Sequence, residues 1–227
     1  MRETVEKKVL SENDRLAGCL RQRFHEENIL CVNLISSPGS GKTMLLEKTL
    51  AAFAPSTPIA VLAGDIQTDN DARRLTRYGF PVRQIVTGGT CHLDARMIDR
   101  HLIEIGFHGP GILFIENVGN LVCPSSYDLG EAAKIVLLSV TEGEDKPLKY
   151  PGIFHRASLM ILTKTDLLPH VDFDPALAHE NARKIHPEID FIALSARTGE
   201  NFTHWLSWLN ALHDRVSAQF TATKAGR

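Results

Sequence analysis

The sequence has little net charge, few cysteines and no long apolar segment. Its 227 residues include 25 lysines and arginines against 27 aspartates and glutamates, which gives a net charge of −2. This balance argues against nucleic acid or an anionic membrane as the main partner. No apolar run approaches the length that a membrane-spanning helix needs, so we expect no membrane insertion.

The N-terminal residues lack the apolar core of a signal peptide. They read MRETVEKKVLSEND, a charged segment, and we therefore expect a cytoplasmic protein. Because the cytoplasm keeps thiols reduced, we expect free thiols at Cys19, Cys31, Cys91 and Cys123. The sequence also contains no internal repeat and no low-complexity run.

From Ile29 onward, short β-rich apolar runs alternate with amphipathic stretches. Such alternation predicts an α/β fold with a mostly parallel central sheet flanked by helices. Ligands of such folds collect at the carboxyl ends of the strands. We expect strands at 29–36, 58–63, 82–86, 111–116, 134–140, 158–163 and 189–194. We expect helices at 42–53, 69–78, 93–105, 174–185 and 200–213.

Length and composition predict one main domain with small appendages. A hydrophobic content of 43% is sufficient for a core. Residues 1–28 are expected to form a helical arm, because a capping box precedes apolar residues at helical spacing. Residues 29–213 carry the alternating pattern of the main domain. Residues 214–227 have weak periodicity, so we expect a flexible tail.

The segment ILCVNLISSPGSGKTM predicts a site for a nucleoside triphosphate. In the pattern G-x-x-x-x-G-K-[ST], backbone amides surround the β-phosphate, the lysine reaches the β- and γ-phosphates, and the hydroxyl binds Mg²⁺. Ser36 stands where this pattern has its first glycine, which is a departure. The expected phosphate-binding residues are Gly39, Ser40, Gly41, Lys42 and Thr43.

Two later strand ends predict that the base is guanine. The segment from Thr163 to Asp166 resembles the [NT]-K-x-D motif, whose aspartate accepts hydrogen bonds from N1–H and the exocyclic amine of guanine. Adenine has an acceptor at N1 and no amine at that place, so the same carboxylate would face an unpaired acceptor. The segment Ser195-Ala196-Arg197 resembles the S-A-[KR] element of the same site. The expected guanine-binding residues are Thr163, Lys164, Asp166, Ser195 and Ala196.

Acidic residues after two strands are candidates for binding Mg²⁺ and for catalysis. Glu116 takes the acidic position of the D-x-x-G element, near the metal and the γ-phosphate. Asp65 and Asp71 follow another strand and are candidates to hold Mg²⁺ or to orient water, although acids are also favoured at any helix N-terminus. Asn120 follows Gly119, where Ras-like enzymes carry a water-orienting glutamine; the shorter side chain predicts slow intrinsic hydrolysis. The expected catalytic residues are Lys42, Asp65, Asp71 and Glu116, and the expected magnesium ligands are Thr43, Asp71 and Glu116.

Cys91, His92 and Cys123 are candidate ligands for a soft metal ion. Cys91 and His92 precede a helix, a position that favours the thiolate, and Cys123 follows the Glu116 element. If these loops meet, two thiolates and one imidazole suit Zn²⁺, Ni²⁺ or Cu(I) rather than Mg²⁺. An adjacent cysteine and histidine more often serve packing, and three ligands leave a tetrahedral site incomplete unless water or a second subunit contributes.

Together these motifs resemble the hydrogenase nickel-incorporation GTPases of the HypB family, within the SIMIBI class of P-loop GTPases. The resemblance covers residues 8–213, and its most specific parts are TGGTCHLDARM and ILFIENVGNLVCP. It implies a GTP-hydrolysing metallochaperone that cycles between GTP and GDP with Mg²⁺ and inserts nickel during maturation of nickel–iron hydrogenase. It also implies a homodimer with Cys91, His92 and Cys123 as nickel or zinc ligands at its interface. The implied partners are a HypA-type nickel- and zinc-binding protein and the hydrogenase large subunit.

Two alternative functions stay open at this point. An accessory GTPase for another nickel enzyme, such as urease, would share most of these motifs. Without the water-orienting glutamine, a non-catalytic metal-binding scaffold stabilised by nucleotide is the second alternative. Some members of the family carry a CxxCGC element or a histidine-rich stretch near the N-terminus, and MRETVEKKVL contains neither. We therefore expect no N-terminal high-affinity nickel site and no storage role.

Overall fold

A parallel sheet of seven strands organises the part of the chain that the computed structural model describes, residues 2–54, 56–67 and 70–225. The strands are β1 (Ile29–Ser36), β2 (Ile59–Asp65), β3 (Val82–Val86), β4 (Gly111–Glu116), β5 (Ala133–Ser139), β6 (Leu159–Thr163) and β7 (Asp190–Ala193). Their order is β3-β2-β4-β1-β5-β6-β7, and each neighbouring pair is parallel. The predicted α/β fold is therefore confirmed, with every predicted strand found to within about two residues.

Helices cover both faces of this sheet. They are α1 (Arg2–Glu26), α2 (Lys42–Ala52), α3 (Asn70–Thr76), α4 (Ala95–Ile105), α5 (Cys123–Ser126), α6 (Lys146–Lys149), α7 (Pro151–Arg156), α8 (Pro175–Ile185) and α9 (Phe202–Ala225), with a 3-10 helix at Thr165–His170. The sequence did not predict α5, α6, α7 or the 3-10 helix, because such short elements carry no amphipathic period. Among the described helices, none combines the length and the apolar character needed to cross a membrane.

The last helix is longer than the sequence predicted. Helix α9 continues to Ala225, so residues 214–225 are helical where we expected a flexible tail. The buried apolar residues of α9 lie in its first half, and the exposed second half therefore gave only a weak periodic signal. A few residues of the predicted elements lie outside the described residues: Met1 of the arm, Asp69 of the helix predicted at 69–78, and the last two residues of the tail. The division into arm, GTPase domain and tail stays a prediction.

The central strands are buried on both faces, which explains their nearly uninterrupted apolar sequences. All eight residues of β1 are buried. Alternate side chains point to opposite faces, so Leu30 and Leu34 pack with α2 and α9, while Cys31 packs with α1 and α4. The polar exceptions in β1 are Asn33 and Ser36, which are fully buried and hydrogen-bonded near the pocket described below.

Helix α1 packs on the sheet face that also carries α4. Leu20 and Phe24 are buried there among apolar side chains. The buried amide of Asn13 joins the helix to two other segments: Nδ2 donates to the carbonyl of Asp128 at 2.9 Å, and Oδ1 accepts from the Ala95 N–H at 2.9 Å. Buried apolar side chains and the Asn13 amide therefore hold α1 against the sheet. The sequence did not predict where this helix docks.

Substitution of Asn13 by alanine is expected to destabilise the protein. The change leaves a carbonyl and an N–H without their partner, which lowers the free energy of unfolding by about 2 kcal/mol. Denaturant titration measures this loss. Asp14→Ala, at an exposed position of the same helix, is the control and is expected to stay within about 0.5 kcal/mol of wild type. Equal losses in both variants would mean that the Asn13 amide does not fix α1.

Candidate functional site

A pocket of about 780 Å³ opens at the carboxyl ends of the strands. The turns that follow β1, β2, β4, β6 and β7 line it, and they carry the motifs identified in the sequence. The predicted residues that the structure brings together there are Gly39, Gly41, Lys42, Thr43, Asp65, Asp71, Glu116, Thr163, Lys164, Asp166 and Ala196. Ser40 and Ser195 lie directly behind, and each is hydrogen-bonded to a residue of the pocket wall.

The turn between β1 and α2 requires glycine for a conformational reason. Gly39 has φ 75° and Gly41 has φ 96°, in the left-handed region that residues with a Cβ rarely adopt. Helix α2 begins directly after Gly41, and the residues of its first turn line the pocket. Such an N-terminus favours phosphate through its amides and its partial positive charge.

Ser36, which replaces the first glycine of the phosphate-binding pattern, has a structural role. The Nζ of Lys42 donates a hydrogen bond to Ser36 Oγ at 2.8 Å, and the lysine is only 8% exposed. Burial lowers the pKa of Lys42, while the nearby carboxylates of Glu116 and Asp71 act in the opposite direction. The serine hydroxyl therefore holds a buried ammonium group in the phosphate-binding turn.

Thr43 and Glu116 present oxygen atoms suited to a divalent cation. The Oγ1 of Thr43 donates to Glu116 Oε1 at 2.6 Å. Burial raises the pKa of Glu116 to about 7, although the neighbouring Lys42 opposes this shift. The second carboxylate oxygen, Oε2, is buried without a hydrogen-bond partner among the described residues. A hydroxyl and a carboxylate with an unpaired oxygen are ligands that Mg²⁺ prefers, so these residues fit the ion.

Asp65 and Asp71 lie on the same acidic side of the pocket. Asp65 ends β2, and its carboxylate accepts a hydrogen bond from the Gln67 N–H at 2.8 Å. Asp71 lies in the first turn of α3, 3.7 Å from the Arg74 guanidinium. Arg74 also pairs with Glu47 of α2 at 2.6 Å. No sequence motif indicated this arginine, which links the acidic side of the pocket to the helix after the phosphate-binding turn.

Asp166 is held in place by the S-A-[KR] element. The Ser195 hydroxyl donates to Asp166 Oδ1 at 2.6 Å, and the Arg197 guanidinium lies 3.9 Å from Oδ2. The two motifs that the sequence assigned to guanine therefore form one unit, although 29 positions separate Asp166 from Ser195.

Thr163 joins the predicted guanine site to the phosphate-binding turn. Its Oγ1 donates to the carbonyl of Ser40 at 2.7 Å. Lys164, the next residue, has φ 61°, a left-handed conformation that is uncommon for a residue with a Cβ and that clusters at ligand sites. The threonine that stands in place of the commoner asparagine thus ties two parts of the pocket together.

A segment after β5 supports the phosphate-binding turn, and no motif predicted it. Glu142 Oε1 accepts hydrogen bonds from Ser40 Oγ at 2.8 Å and from the Ser139 N–H at 3.0 Å. Lys146 Nζ lies 3.2 Å from the other Glu142 oxygen and 3.4 Å from Ser37 Oγ. Burial alone would raise the pKa of Glu142, but these hydrogen bonds lower it, so a charged carboxylate anchors the turn.

Cys91, His92 and Cys123 form a cluster beside this pocket. Cys91 and His92 lie in the loop before α4, residues 87–94, which we call the metal loop. The three ligand atoms lie within 4.8 Å of one another. The two Sγ atoms are 2.9 Å apart, beyond the ~2.05 Å of a disulfide bond, and both thiols are free. The His92 ring stacks on Tyr127 with centroids 3.9 Å apart.

Without a metal, the surroundings of this cluster favour a protonated Cys123 thiol and a neutral His92 imidazole. The hydrogen bond with Cys91, together with burial, raises the pKa of the Cys123 thiol. Burial lowers the pKa of His92, which favours the neutral imidazole that binds metals. Two sulfur atoms and one imidazole nitrogen fit zinc or nickel better than magnesium. Because both thiols must lose protons to a metal, metal binding here releases protons.

Asn120 is turned toward this cluster. Among the described residues that line the nucleotide pocket are its neighbours Val118 and Gly119, but not Asn120 itself. Its Nδ2 donates to the carbonyl of Cys91 at 3.1 Å, and its Oδ1 accepts from the Val122 N–H at 2.9 Å. The position at which Ras-like enzymes carry their glutamine therefore contacts the metal loop in this protein.

Leu93 anchors the metal loop to the two strands that carry the acidic residues. The Leu93 side chain is fully buried, and its N–H donates to Asn117 Oδ1, directly after β4, at 3.3 Å. Its methyl groups lie against Gly64 of β2, where a Cβ would come within 2.9 Å of Leu93 Cδ1. A side chain at position 64 would therefore displace the buried Leu93 side chain, whereas the backbone angles of Gly64 do not themselves call for glycine.

Comparisons with known proteins give consistent matches. Residues 30–193 match the family described as CobW/HypB/UreG, nucleotide-binding domain. The chain is 50% identical over 222 residues to hydrogenase maturation factor HypB of Azotobacter chroococcum mcd 1, covering 97% of this chain and 73% of the relative. It is 54% identical over 205 residues to the protein of the same name from Escherichia coli K12, covering 90% of this chain and 71% of the relative. The crystal structure of HypB from Helicobacter pylori in complex with nickel is similar with a TM-score of 0.84 at 40% identity, covering 90% of this chain and 96% of that one.

Proposed function

Since the chain belongs to the HypB family of hydrogenase maturation factors, we propose that it is a GTPase that delivers nickel during maturation of nickel–iron hydrogenase. Family membership, which the sequence motifs indicated, is confirmed. The proposal rests on the contact between the metal cluster and the nucleotide pocket. The metal loop is hydrogen-bonded to Asn117, which follows β4 and lines the pocket. The nickel complex of the Helicobacter pylori relative supports nickel as the cargo.

The proposed nucleotide is GTP, which spans the pocket from the phosphate-binding turn to Asp166. The amides of residues 39–43 and the buried Lys42 would contact the β- and γ-phosphates. The Asp166 carboxylate would accept hydrogen bonds from the guanine base, and the Ala196 N–H would face the guanine O6. The hydrogen bond between Thr163 and the Ser40 carbonyl supports this proposal, because it keeps the base and phosphate sites in a fixed relation.

For hydrolysis, we assign roles to the acidic side of the pocket and to the lysine. Thr43, Glu116 and Asp71 would hold Mg²⁺, which neutralises phosphate charge as it develops. Asp65 and Asp71 would orient the attacking water. Lys42 would stabilise the negative charge that grows between the β- and γ-phosphates. Without a glutamine in the water-orienting position, turnover by the isolated protein is proposed to be slow.

Nickel, the cargo, would bind to the thiolates of Cys91 and Cys123 and to the imidazole of His92. Zinc suits the same donor set, so we propose that either ion occupies it. Three ligands leave a coordination position open. We propose that a homodimer closes the site, with a second copy of the chain approaching this cluster.

The remaining partners follow from the family. We propose that the protein works in the cytoplasm, that it cooperates with a HypA-type nickel- and zinc-binding protein, and that it passes nickel to the hydrogenase large subunit. Loss of hydrogenase activity on deletion of the gene, with recovery in excess nickel, is the expected cellular result. Loss of urease activity alone would indicate a different recipient enzyme.

Equilibrium titration with Ni²⁺ tests the proposal, with GDP or with a non-hydrolysable GTP analogue. We expect nickel affinity to differ between the two nucleotide states by about fivefold or more, as coupled sites typically do. Cys91→Ala removes one ligand and is expected to weaken nickel binding by about 100-fold or more. Cys19→Ala, at an exposed cysteine of α1, is the matched control and should bind nickel as wild type does.

Two results would contradict this function. One is identical nickel affinity in both nucleotide states, which would separate the cargo from the nucleotide. The other is a Cys91→Ala variant that binds nickel as tightly as the Cys19→Ala control, which would make the Cys91–His92 pair structural.

A further inference from the structure

The peptide bond between Gly119 and Asn120 connects the wall of the nucleotide pocket to the metal cluster. Gly119 lines the pocket and lies so close to the phosphate-binding turn that a Cβ there would be 3.0 Å from Pro38 Cα. Asn120, the next residue, turns its side chain away from the pocket toward the metal loop. Adjacent residues of the chain thus contact the phosphate-binding turn and the metal cluster.

The amide of Asn120 contacts both segments that carry thiols. Its Nδ2 reaches the backbone carbonyl of Cys91 at 3.1 Å, while its Oδ1 accepts the Val122 N–H at 2.9 Å and so shapes the turn that leads to Cys123. One side chain therefore sets the position of one ligand residue through its backbone and of the other through the preceding turn.

Asn120 uses both the donor and the acceptor of its amide, which a shorter or apolar side chain could not do here. The amide nitrogen donates to Cys91, 29 positions earlier in the chain, and the amide oxygen accepts from Val122, two positions later. Asparagine commonly closes such turns through its side-chain oxygen, which leaves the amide nitrogen free for a second segment. The two Sγ atoms that result lie 2.9 Å apart, close enough to bind one ion together.

We infer that Asn120 is a positioning residue of the metal site, which holds Cys91 and Cys123 together, and that it does not orient the attacking water. The inference rests on the proposed nickel-binding function and adds to it a named link between the two sites. Movement of Gly119 against the phosphate-binding turn would be passed to both thiols through the next side chain.

Two variants of Asn120 test the inference, the first by nickel binding in nucleotide-free protein and the second also by GTP hydrolysis. Asn120→Ser keeps an oxygen that can accept the Val122 N–H but cannot reach the Cys91 carbonyl. We expect it to bind Ni²⁺ about 10- to 100-fold more weakly than wild type, as loss of a contact that orients ligands typically does. The absorption band of nickel bound to thiolate should weaken in parallel. GDP affinity and the thermal midpoint report whether the variant is folded.

Asn120→Gln separates the two roles directly. Glutamine in a water-orienting position would accelerate GTP hydrolysis, whereas a longer side chain in a positioning role displaces the metal loop and weakens nickel binding. We expect weaker nickel binding and no acceleration. This variant decides the question if Asn120→Ser does not fold.

The inference is overturned if Asn120→Ser binds nickel with wild-type affinity and absorption, or if Asn120→Gln hydrolyses GTP several-fold faster. In either case the proposed function stands, provided that wild type binds nickel at Cys91 in a nucleotide-dependent manner. If wild type binds no nickel at that cluster, the proposed function and the inference both fail, so the two outcomes are distinguishable.

Discussion

Asp166→Asn is expected to change the preferred base from guanine to xanthine. Xanthine carries a carbonyl where guanine carries its exocyclic amine. In the proposed site the aspartate would accept two hydrogen bonds from guanine, whereas asparagine would accept one and donate one, which matches xanthine. An unpaired polar group in a buried site discriminates strongly, so GDP affinity is expected to fall about 100-fold or more while XDP binding rises.

The surroundings of Asp166 make this substitution a clean test. Ser195 Oγ donates to Asp166 Oδ1 at 2.6 Å, and the carbonyl oxygen of asparagine can accept the same bond. The side chain therefore keeps its position while an NH2 group replaces one carboxylate oxygen. Loss of the weak ion pair with Arg197, at 3.9 Å and exposed, is expected to cost little.

Competition between GDP and XDP for a fluorescent nucleotide measures the change. Asp172→Asn, at an exposed position nearby in the chain, makes the same change of charge outside the pocket and is expected to bind GDP as wild type does. An Asp166→Asn variant with unchanged GDP affinity would show that the base does not contact this carboxylate.

Glu116→Gln is expected to lower catalysis and raise stability at the same time. Glutamine keeps an oxygen that accepts the Thr43 hydrogen bond but carries no charge. If Glu116 helps to hold Mg²⁺, kcat/KM for GTP is expected to fall about 100- to 1000-fold, as the loss of one preorganised electrostatic group often does. The expected rise in stability applies to the protein without metal or nucleotide.

The sign of the stability change follows from burial. Burial raises the pKa of Glu116 from 4.5 to about 7, so the folded protein holds this proton more tightly than the unfolded chain. The group's favourable contribution is complete below its unfolded pKa and is lost as pH rises through its folded pKa. The advantage of Glu116→Gln should therefore grow between the two values and reach about 1 to 3 kcal/mol above them, after allowance for the charge of Lys42.

Denaturation in the presence of EDTA at about pH 5 and about pH 8 measures this difference. Thr43→Ser, which keeps the hydroxyl that donates to Glu116, is the control for the site and should show no such pH-dependent gain. A Glu116→Gln variant that is less stable at the higher pH would mean that the carboxylate already has a compensating partner.

The sequence predicted the strands well because of where they lie. Parallel strands that are buried on both faces are continuous apolar runs, and the phosphate-binding turn, the Glu116 element and the Thr163–Asp166 motif each follow such a run. Since parallel strands end at the same edge of the sheet, motifs far apart in the chain were expected to meet, and the pocket residues do so. Their individual roles remain predictions.

What the sequence did not predict depends on contacts between distant segments. The hydrogen bond between Ser40 and Glu142 joins residues 102 positions apart, and no local pattern announces it. The direction of the Asn120 side chain likewise depends on the position of the metal loop. Helix α9 was predicted too short, because its exposed second half has little apolar period to detect.

The anchoring of Leu93 has a thermodynamic consequence. Its contacts with Asn117 and Gly64 place one buried residue between the nucleotide pocket and the metal loop. Coupling between two binding sites is reciprocal, so any free energy that GTP contributes to nickel binding must equal what nickel contributes to GTP binding. The nickel concentration would then influence which nucleotide the protein retains, so the transported metal would be an allosteric effector of the protein that carries it.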